Sequence, residues 1–345
     1  MDRLSLALAK STLIIFIGLV TSAAIVYRPT ASPFQVPQKL SGLKGLPQLN
    51  DDEISKLKAG EPVTKILDPT EESEVGVFGA EWIDAPLRNY LEAFQDIERF
   101  EKGGGFKMTK RISDPARPED FAALNLTDED IADLKTCHAG DCDLKLGKDD
   151  IARFQGVTGS TAANALFRQV VLEYVRAYQQ GGNAKLPVYW DSYQPTSVAK
   201  QFAAILDEMS PLLQSAPVLR RYLLEYPKAR LSKGSAFFYW QQVEFGLKPT
   251  IRVNHVAISE EAENTIIASK LLYANHYFRA ALELQILVPD SSRGPGFWLV
   301  TVKRLRSDGL SGTTGQFVRI RVERDALKGL NEALRATKSR MRQSR

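Results

Sequence analysis

Apolar positions along this chain recur with a helical period in some stretches and alternate in others, and the switches between the two divide it. Residues 75–83 read as a strand ended by Asp84. Pro86 then opens a helix to about residue 100, with Leu87, Tyr90, Leu91, Phe94 and Ile97 at 3–4 spacing. Gly103-Gly104-Gly105 stops it, and residues 106–112 form a second strand. This triple glycine follows a helix, whereas a phosphate cradle needs glycines that follow a strand and open a helix.

From residue 114 to 233 the period becomes helical. Thr127-Asp128-Glu129-Asp130 caps a short helix carrying Ile131 and Leu134, and Asp149-Asp150 starts another with Ile151 and Phe154. The longest helix spans 160–178, and two more cover 197–209 and 212–226. The pattern then reverts to alternation. Residues 236–245, 248–258, 265–275, 278–288 and 297–306 read as five strands with short connections, an antiparallel meander. Ala280, Ala281, Leu282, Glu283 and Leu284 would suit a helix equally well. A long helix over 316–342 closes the chain, with Ile320, Leu327, Leu330, Leu334 and Met341 on one stripe. No internal repeat has a solenoid period.

The first thirty residues carry an address. Arg3 and Lys10 precede an uncharged run over 11–27, with small residues at Thr21-Ser22-Ala23-Ala24. A basic start, an apolar run and small residues make a secretory signal, cleavable after Ala24. The uncleaved alternative is a signal anchor, since a run of roughly 17 residues sits at the lower limit for a spanning helix. Both leave the remainder outside the cytoplasm, in the periplasm or another extracytoplasmic space; the anchor would tether it to the inner membrane. Residues 28–74, rich in Pro and Gly, read as a linker with a short helix near Asn50.

Composition narrows the classes without naming one. Apolar residues make up 44% of the chain, charged residues 25% and aromatics 9%, which is ordinary globular usage. That excludes a wholly disordered chain, a collagen-like fibre and a multi-span membrane protein. A net charge of +4 is too mild to imply nucleic-acid binding. It is an average over unlike parts. Residues 113–150 carry eleven acids against four bases, and residues 317–345 carry nine bases against three acids.

Only two cysteines are present, and Cys137 and Cys142 bracket His138-Ala139-Gly140-Asp141. In an exported chain they most simply form one disulfide. Zinc ligation by this segment lacks a second ligand pair, and its spacing differs from a haem-attachment motif. The acids at 128–130 lack the glycine turn and closing glutamate of a calcium loop, so a solvated acidic face is expected there. No metal or cofactor is expected.

The order of strand, helix, second strand, five-strand meander and long final helix resembles the helix-grip fold of the START-like superfamily, which includes polyketide cyclases and coenzyme Q-binding proteins. The opening Ala80-Glu81-Trp82-Ile83-Asp84-Ala85-Pro86 followed by a helix is similar to the start of such domains. The resemblance covers 75–113 and 234–345, with 114–233 as a large all-helical insertion between strands 2 and 3. It implies an α+β fold in which an antiparallel sheet of about seven strands grips the C-terminal helix over an apolar cavity. It also implies hydrophobic-ligand binding, with enzymatic activity in a minority of members. Fold alone does not establish function.

Candidate site residues follow from where the sheet would face such a cavity. His255 shares a strand face with Ile251 and Val253, and titrates near neutral pH. A histidine on an apolar face is more often a hydrogen-bonded core residue than a catalyst. Tyr273, Asn275 and His276 gather polar and aromatic groups at one strand end; a turn with packed rings is the alternative. Pairing the second and third meander strands, 248–258 and 265–275, through the acidic turn would set His255 opposite about Ala268, with His276 far along the strand. Arg304 and Arg306 share a face and suit a carboxylate or phosphate head; an Arg–Asp pair fixing the next loop is the alternative. Tyr239 and Trp240, within four adjacent aromatics, are expected in core or cavity lining.

No nucleophile elbow, zinc-protease helix or dinucleotide turn occurs. The sequence therefore points to an exported binding protein for a lipid or other hydrophobic small molecule. Two other classes stay open. One is a cell-envelope interaction module whose helical insertion meets a protein partner, or whose basic final helix meets an anionic surface. The other is a hydrolase or cyclase using His255 or His276 as a base.

Overall fold

The computed structural model describes residues 36–343 except 104 and 245–247. The expected signal or anchor at 1–27 lies outside them. Two short helices come first, α1 (Gln38–Ser41) and α2 (Asp51–Ala59). The second is the helix expected near Asn50. Asn50 caps it by accepting from the Glu53 amide while Glu53 accepts from the Asn50 amide. Strands β1 (Val63–Leu67) and β2 (Glu74–Ile83) follow, then α3 (Leu87–Gln95), α4 (Ile97–Phe100) and β3 (Phe106–Ile112). Next come α5 (Asp128–Asp133), α6 (Lys148–Phe154), α7 (Ser160–Gly181), β4 (Val188–Tyr189), β5 (Thr196–Ser197), α8 (Val198–Glu208) and α9 (Pro217–Glu225). The meander is β6 (Gly234–Val243), β7 (Thr250–Glu260), β8 (Thr265–Ala274), β9 (Phe278–Pro289) and β10 (Phe297–Ser307), and α10 (Gly312–Gln343) closes the chain.

The protein is α+β. Its antiparallel sheet has eight strands, one more than expected, in the order β1-β2-β10-β9-β8-β7-β6-β3. The extra strand is β1, in the segment read as linker; it pairs with β2 from Val63↔Ala80 to Leu67↔Gly76. It was hidden because five residues with only Val63 fully buried give no alternation to read. The ambiguous segment at 278–288 is a strand, β9, paired on both sides. Local composition there favours neither state, and sheet pairing decides it. Between β3 and β6 the chain is mainly helical but not wholly so, since β4 and β5 pair as a two-stranded ladder.

Both faces of the sheet are covered, which is why β2 is buried at all ten positions. One face carries Phe78, Trp240, Val253, Leu284 and Trp298 against residues of the helical block such as Phe167, Val171, Phe202 and Leu219. The other carries Tyr239, Ile258, Ile267 and Leu299 against Tyr90 and Phe94 of α3 and Leu334 and Met341 of α10.

Helix α10 crosses β2 at a glycine. A Cβ on Gly79 would lie 2.9 Å from Leu330 Cδ2 and 3.0 Å from Leu334 Cδ1, so the missing side chain seats the helix. Polar contacts hold it along its length. Arg319 Nη1 donates to the Glu74 carbonyl at 2.7 Å, Lys338 Nζ to Glu81 Oε1 at 3.1 Å, and Arg340 Nη1 to the Phe100 carbonyl at 2.8 Å.

Candidate functional site

Between α3, α4, α10 and the sheet lies a cavity of about 740 Å³. That is within the usual range for a small-molecule site. Its walls are apolar: Val77 on β2, Phe94 and Phe100 on α3 and α4, Leu299 on β10, and Leu330 and Leu334 on α10. Its floor is not. Strand alternation brings a polar side chain to this face at every second position of four strands: Gln241 on β6, Arg252 and Asn254 on β7, Glu283 and Gln285 on β9, Thr301 and Lys303 on β10. Register aligns them, with Gln241 opposite Arg252 and Glu283 opposite Lys303.

Two hydrogen-bonded chains organise the floor. In the first, the Tyr90 hydroxyl donates to Gln285 Oε1 at 2.7 Å, and Gln285 Nε2 donates to Glu283 Oε1 at 2.9 Å. Lys303 Nζ lies 3.6 Å from the other Glu283 oxygen. In the second, the Tyr239 hydroxyl donates to Glu101 Oε1 at 3.3 Å. The Gln241 amide, turned to satisfy both neighbours, donates to Glu101 Oε2 and accepts from Arg252, whose Nε is 3.0 Å from the amide oxygen.

Burial tunes these groups. Desolvation pushes the Glu101 carboxyl up to about 7, against the pull of Arg252 and with the help of Glu283. It pulls the Lys303 ammonium below the ordinary lysine value and holds the Tyr90 and Tyr239 hydroxyls above the ordinary phenol value. Near neutral pH, Glu101 therefore exchanges a proton readily while both phenols remain donors. Asn254 is buried, and among the described residues its Nδ2 has no acceptor.

Of the candidate site residues read from sequence, only Tyr239 lines this cavity. The others lie on the opposite face or at strand ends, held by protein groups. Trp240 Nε1 donates to the Asp120 carbonyl at 2.8 Å. His255 shares its face with Ile251 and Val253 as expected, but that face meets the helical block. Its Nδ1 is 3.0 Å from the Tyr178 hydroxyl and its Nε2 is 3.1 Å from the Tyr222 hydroxyl. Burial, with Lys270 adding, holds its imidazole well below the ordinary histidine value. Its register partner is Lys270; the expected partner Ala268 sits opposite Ala257, two residues on. The turn after β7 is tighter than a count through its acidic residues implied, because Glu260 still pairs with Thr265.

The remaining candidates are likewise surrounded by protein groups, although the Tyr273 hydroxyl and Asn275 Nδ2 have no partner among the described residues. Tyr273 packs among Phe167, Tyr174 and Tyr189. Asn275 Oδ1 accepts from the Ile251 amide at 2.7 Å. His276 Nε2 is 2.7 Å from Asp130 Oδ1, and its Nδ1 is 3.1 Å from the Asp143 carbonyl. Arg304 and Arg306 bind the buried Glu74 and, on α8, Glu208; Arg306 Nη2 reaches Glu208 Oε1 at 2.6 Å. Both arginines are thus paired with carboxylates, but with glutamates of β2 and α8 and not with an aspartate of the next loop.

The sulfurs of Cys137 and Cys142 lie at disulfide distance, with their Cα atoms 4.4 Å apart. The loop they close docks on the neighbouring segment, with the Gly140 amide donating to the Trp190 carbonyl at 2.8 Å. Among the described residues, no group of three or more His, Cys, Asp or Glu side chains is disposed to hold a metal. No helix among them is long and apolar enough to cross a membrane.

Sequence reasoning missed Glu101, Gln241, Arg252, Asn254, Glu283 and Lys303. A signal was available. Single polar residues interrupt apolar strands at every second position, as in Ile251-Arg-Val-Asn254, Leu282-Glu-Leu-Gln285 and Val300-Thr-Val-Lys303. The chain matches no protein-family model, no curated protein and no solved structure.

Proposed function

We propose that this chain binds an amphiphilic small molecule of lipid type, with its apolar part between α10 and the sheet and its polar part on the sheet floor. The observation that carries the reading is the cavity of about 740 Å³ with apolar walls and a polar floor. Such a combination orients a ligand that has one end of each kind. The strand order supports a START-like relationship: β2 and β3, on either side of the α3–α4 helix pair, are separated in the sheet by the whole meander. On that reading α10 is the gripped helix and residues 114–233 are an insertion covering the far face. An extracytoplasmic address, with or without a membrane tether, belongs to the same proposal; it is supported by the N-terminal pattern and the cysteine pair.

Native mass spectrometry of the full chain, purified without detergent, tests the reading. The expected result is a co-purifying amphiphile, or stoichiometric uptake of added fatty acid or fatty alcohol by stripped protein. Ala281, on β9, lines the cavity with a half-buried methyl. Ala281→Trp should abolish uptake while the fold is retained by circular dichroism. Uptake unaffected by this substitution, or no uptake by the wild-type chain, would overturn the proposal.

A further inference from the structure

Among the polar groups on the cavity floor, donors and acceptors are unequally matched. Glu283 already has Gln285 and Lys303, and Glu101 already has Tyr239 and Gln241. Arg252 is different. Its only hydrogen-bond acceptor among the described residues is the Gln241 amide oxygen, and no carboxylate pairs with it there within 4.0 Å. A guanidinium has five N–H donors, so most of its capacity is unused. Two residues along β7, on the same face, Asn254 presents a buried amide nitrogen with no acceptor among the described residues. It is 93% shielded from solvent, and leaving such a group unbonded is costly. A half-buried cation with spare donors and a buried amide nitrogen without an acceptor among the described residues therefore lie two positions apart on one strand face, at the polar end of an apolar cavity.

Resting on the cavity-binding reading above, we infer that Arg252 and Asn254 hold the anionic oxygens of a carboxylate-headed amphiphile of the fatty-acid class. Arg252 supplies charge and a planar fork suited to a carboxylate. Asn254 supplies a neutral donor beside it. The chain then runs between Leu299 on the sheet and Leu330 and Leu334 on α10.

The proposal has a pH consequence through Glu101. That carboxyl faces Tyr239 and Gln241 of β6, Arg252 of β7, Glu283 of β9 and Lys303 of β10, and its own loop continues into Lys102. Tyr90 feels the charges of both Glu283 and Arg340, and Lys107 and Glu244 pair with each other at 2.9 Å. With Glu101 ionised, the floor has two anions for its two inward cations, Arg252 and Lys303; with Glu101 neutral, the cations are in excess. An incoming carboxylate thus favours the protonated form of Glu101, and a proton enters with the ligand. Affinity falls as pH rises through about 7.

The test is calorimetric titration of lipid-stripped full chain with laurate, dodecanol and dodecyltrimethylammonium, each below its micelle concentration. Laurate is expected to bind at least tenfold more tightly than dodecanol at pH 6.5, and the cation more weakly than either. Arg252→Met should bring laurate to the dodecanol level. Asn254→Ala, which removes an unbonded group and should fold at least as well, should weaken laurate several-fold and leave dodecanol unchanged. Titrating laurate in two buffers of different ionisation enthalpy should reveal proton uptake, and Glu101→Gln should remove it. If dodecanol equals laurate, or if the cation binds tightest, this inference is overturned and the cavity reading stands. If none of the three binds, both fall.

Discussion

His255 on β7 and Lys270 on β8 are register partners, and both are enclosed between the sheet and the helical block, 1% and 0% exposed. Among the described residues, no carboxylate pairs with either. Lys270 Nζ lies 3.3 Å from the Tyr178 hydroxyl, also contacts Asn183 Oδ1, and sits 3.8 Å from the Phe202 ring centroid. Burial holds the lysine well below its ordinary value, and burial with Lys270 does the same to the histidine. For both groups the unfolded chain binds the proton more tightly, so stability rises with pH across the interval between folded and unfolded values.

For His255 that interval lies below its ordinary value of 6.5. Thermal midpoints of the wild-type chain should therefore fall as pH drops from about 6.5 towards 5. His255→Gln, which cannot ionise, should show a shallower fall over the same range. An unchanged slope would mean that other groups govern acid sensitivity.

Lys270 acts over a higher range, below 10.5. Lys270→Met keeps the aliphatic stem against Phe202 and removes an amine whose charged form the site disfavours. The variant should be more stable than wild type by roughly 1 kcal/mol or more at pH 7, with the advantage shrinking towards pH 10. Urea denaturation at several pH values reads both effects.

The buried His276–Asp130 pair joins the end of the β8–β9 turn to the first turn of α5. Removing one member leaves the other without its partner in a dry site. His276→Ala should destabilise the protein by about 3–5 kcal/mol, read by denaturant unfolding. Uptake of a cavity ligand should persist at temperatures where the variant is folded, since neither residue lines the cavity.

The cysteine pair closes a short loop, five residues apart in sequence. A loop of that size contributes about 2 kcal/mol by restricting the unfolded chain. Cys137→Ser with Cys142→Ser should cost that amount, measured under non-reducing conditions. Ligand uptake by the folded variant should match wild type.

Much of this architecture was legible before the structure. Helix α7, the meander and α10 follow from local periods strong enough to survive tertiary context, and Thr127 and Asn50 mark helix starts through caps that do form. What stayed hidden was which face of the sheet is filled and which is hollow. Strand alternation assigns His255 and Asn254 to opposite faces but does not say which face large rings occupy. Tyr178, Tyr222, Tyr226 and Phe238, mostly from distant segments, close around His255 and leave no space. The hollow face went to the strand positions carrying lone polar residues. Arg304 and Arg306 looked free in sequence because Glu74 and Glu208, their partners, are remote along the chain.

Glu81 on β2 and Lys338 on α10 form a clamp between the sheet and the helix. Glu81 is 1% exposed on β2, and burial raises its carboxyl against the pull of Lys338. Lys338 also donates to the Gly60 carbonyl, so one ammonium ties α10 to both β2 and the end of α2. Lys338→Met strands the buried carboxylate and should cost about 3 kcal/mol. Glu81→Met combined with Lys338→Met removes both charges and should recover most of that loss. The helix is also the wall of the cavity, so the single variant should show faster amide exchange along α10 and faster ligand release. Gly79→Val supplies an independent check. Its side chain would press on Leu330 and Leu334, lifting the same helix without touching a charge. If Lys338→Met destabilises the fold but exchange along α10 remains at the wild-type rate, the pair is not what seats the helix, and the contact at Gly79 with the Arg319 and Arg340 hydrogen bonds is left to anchor it.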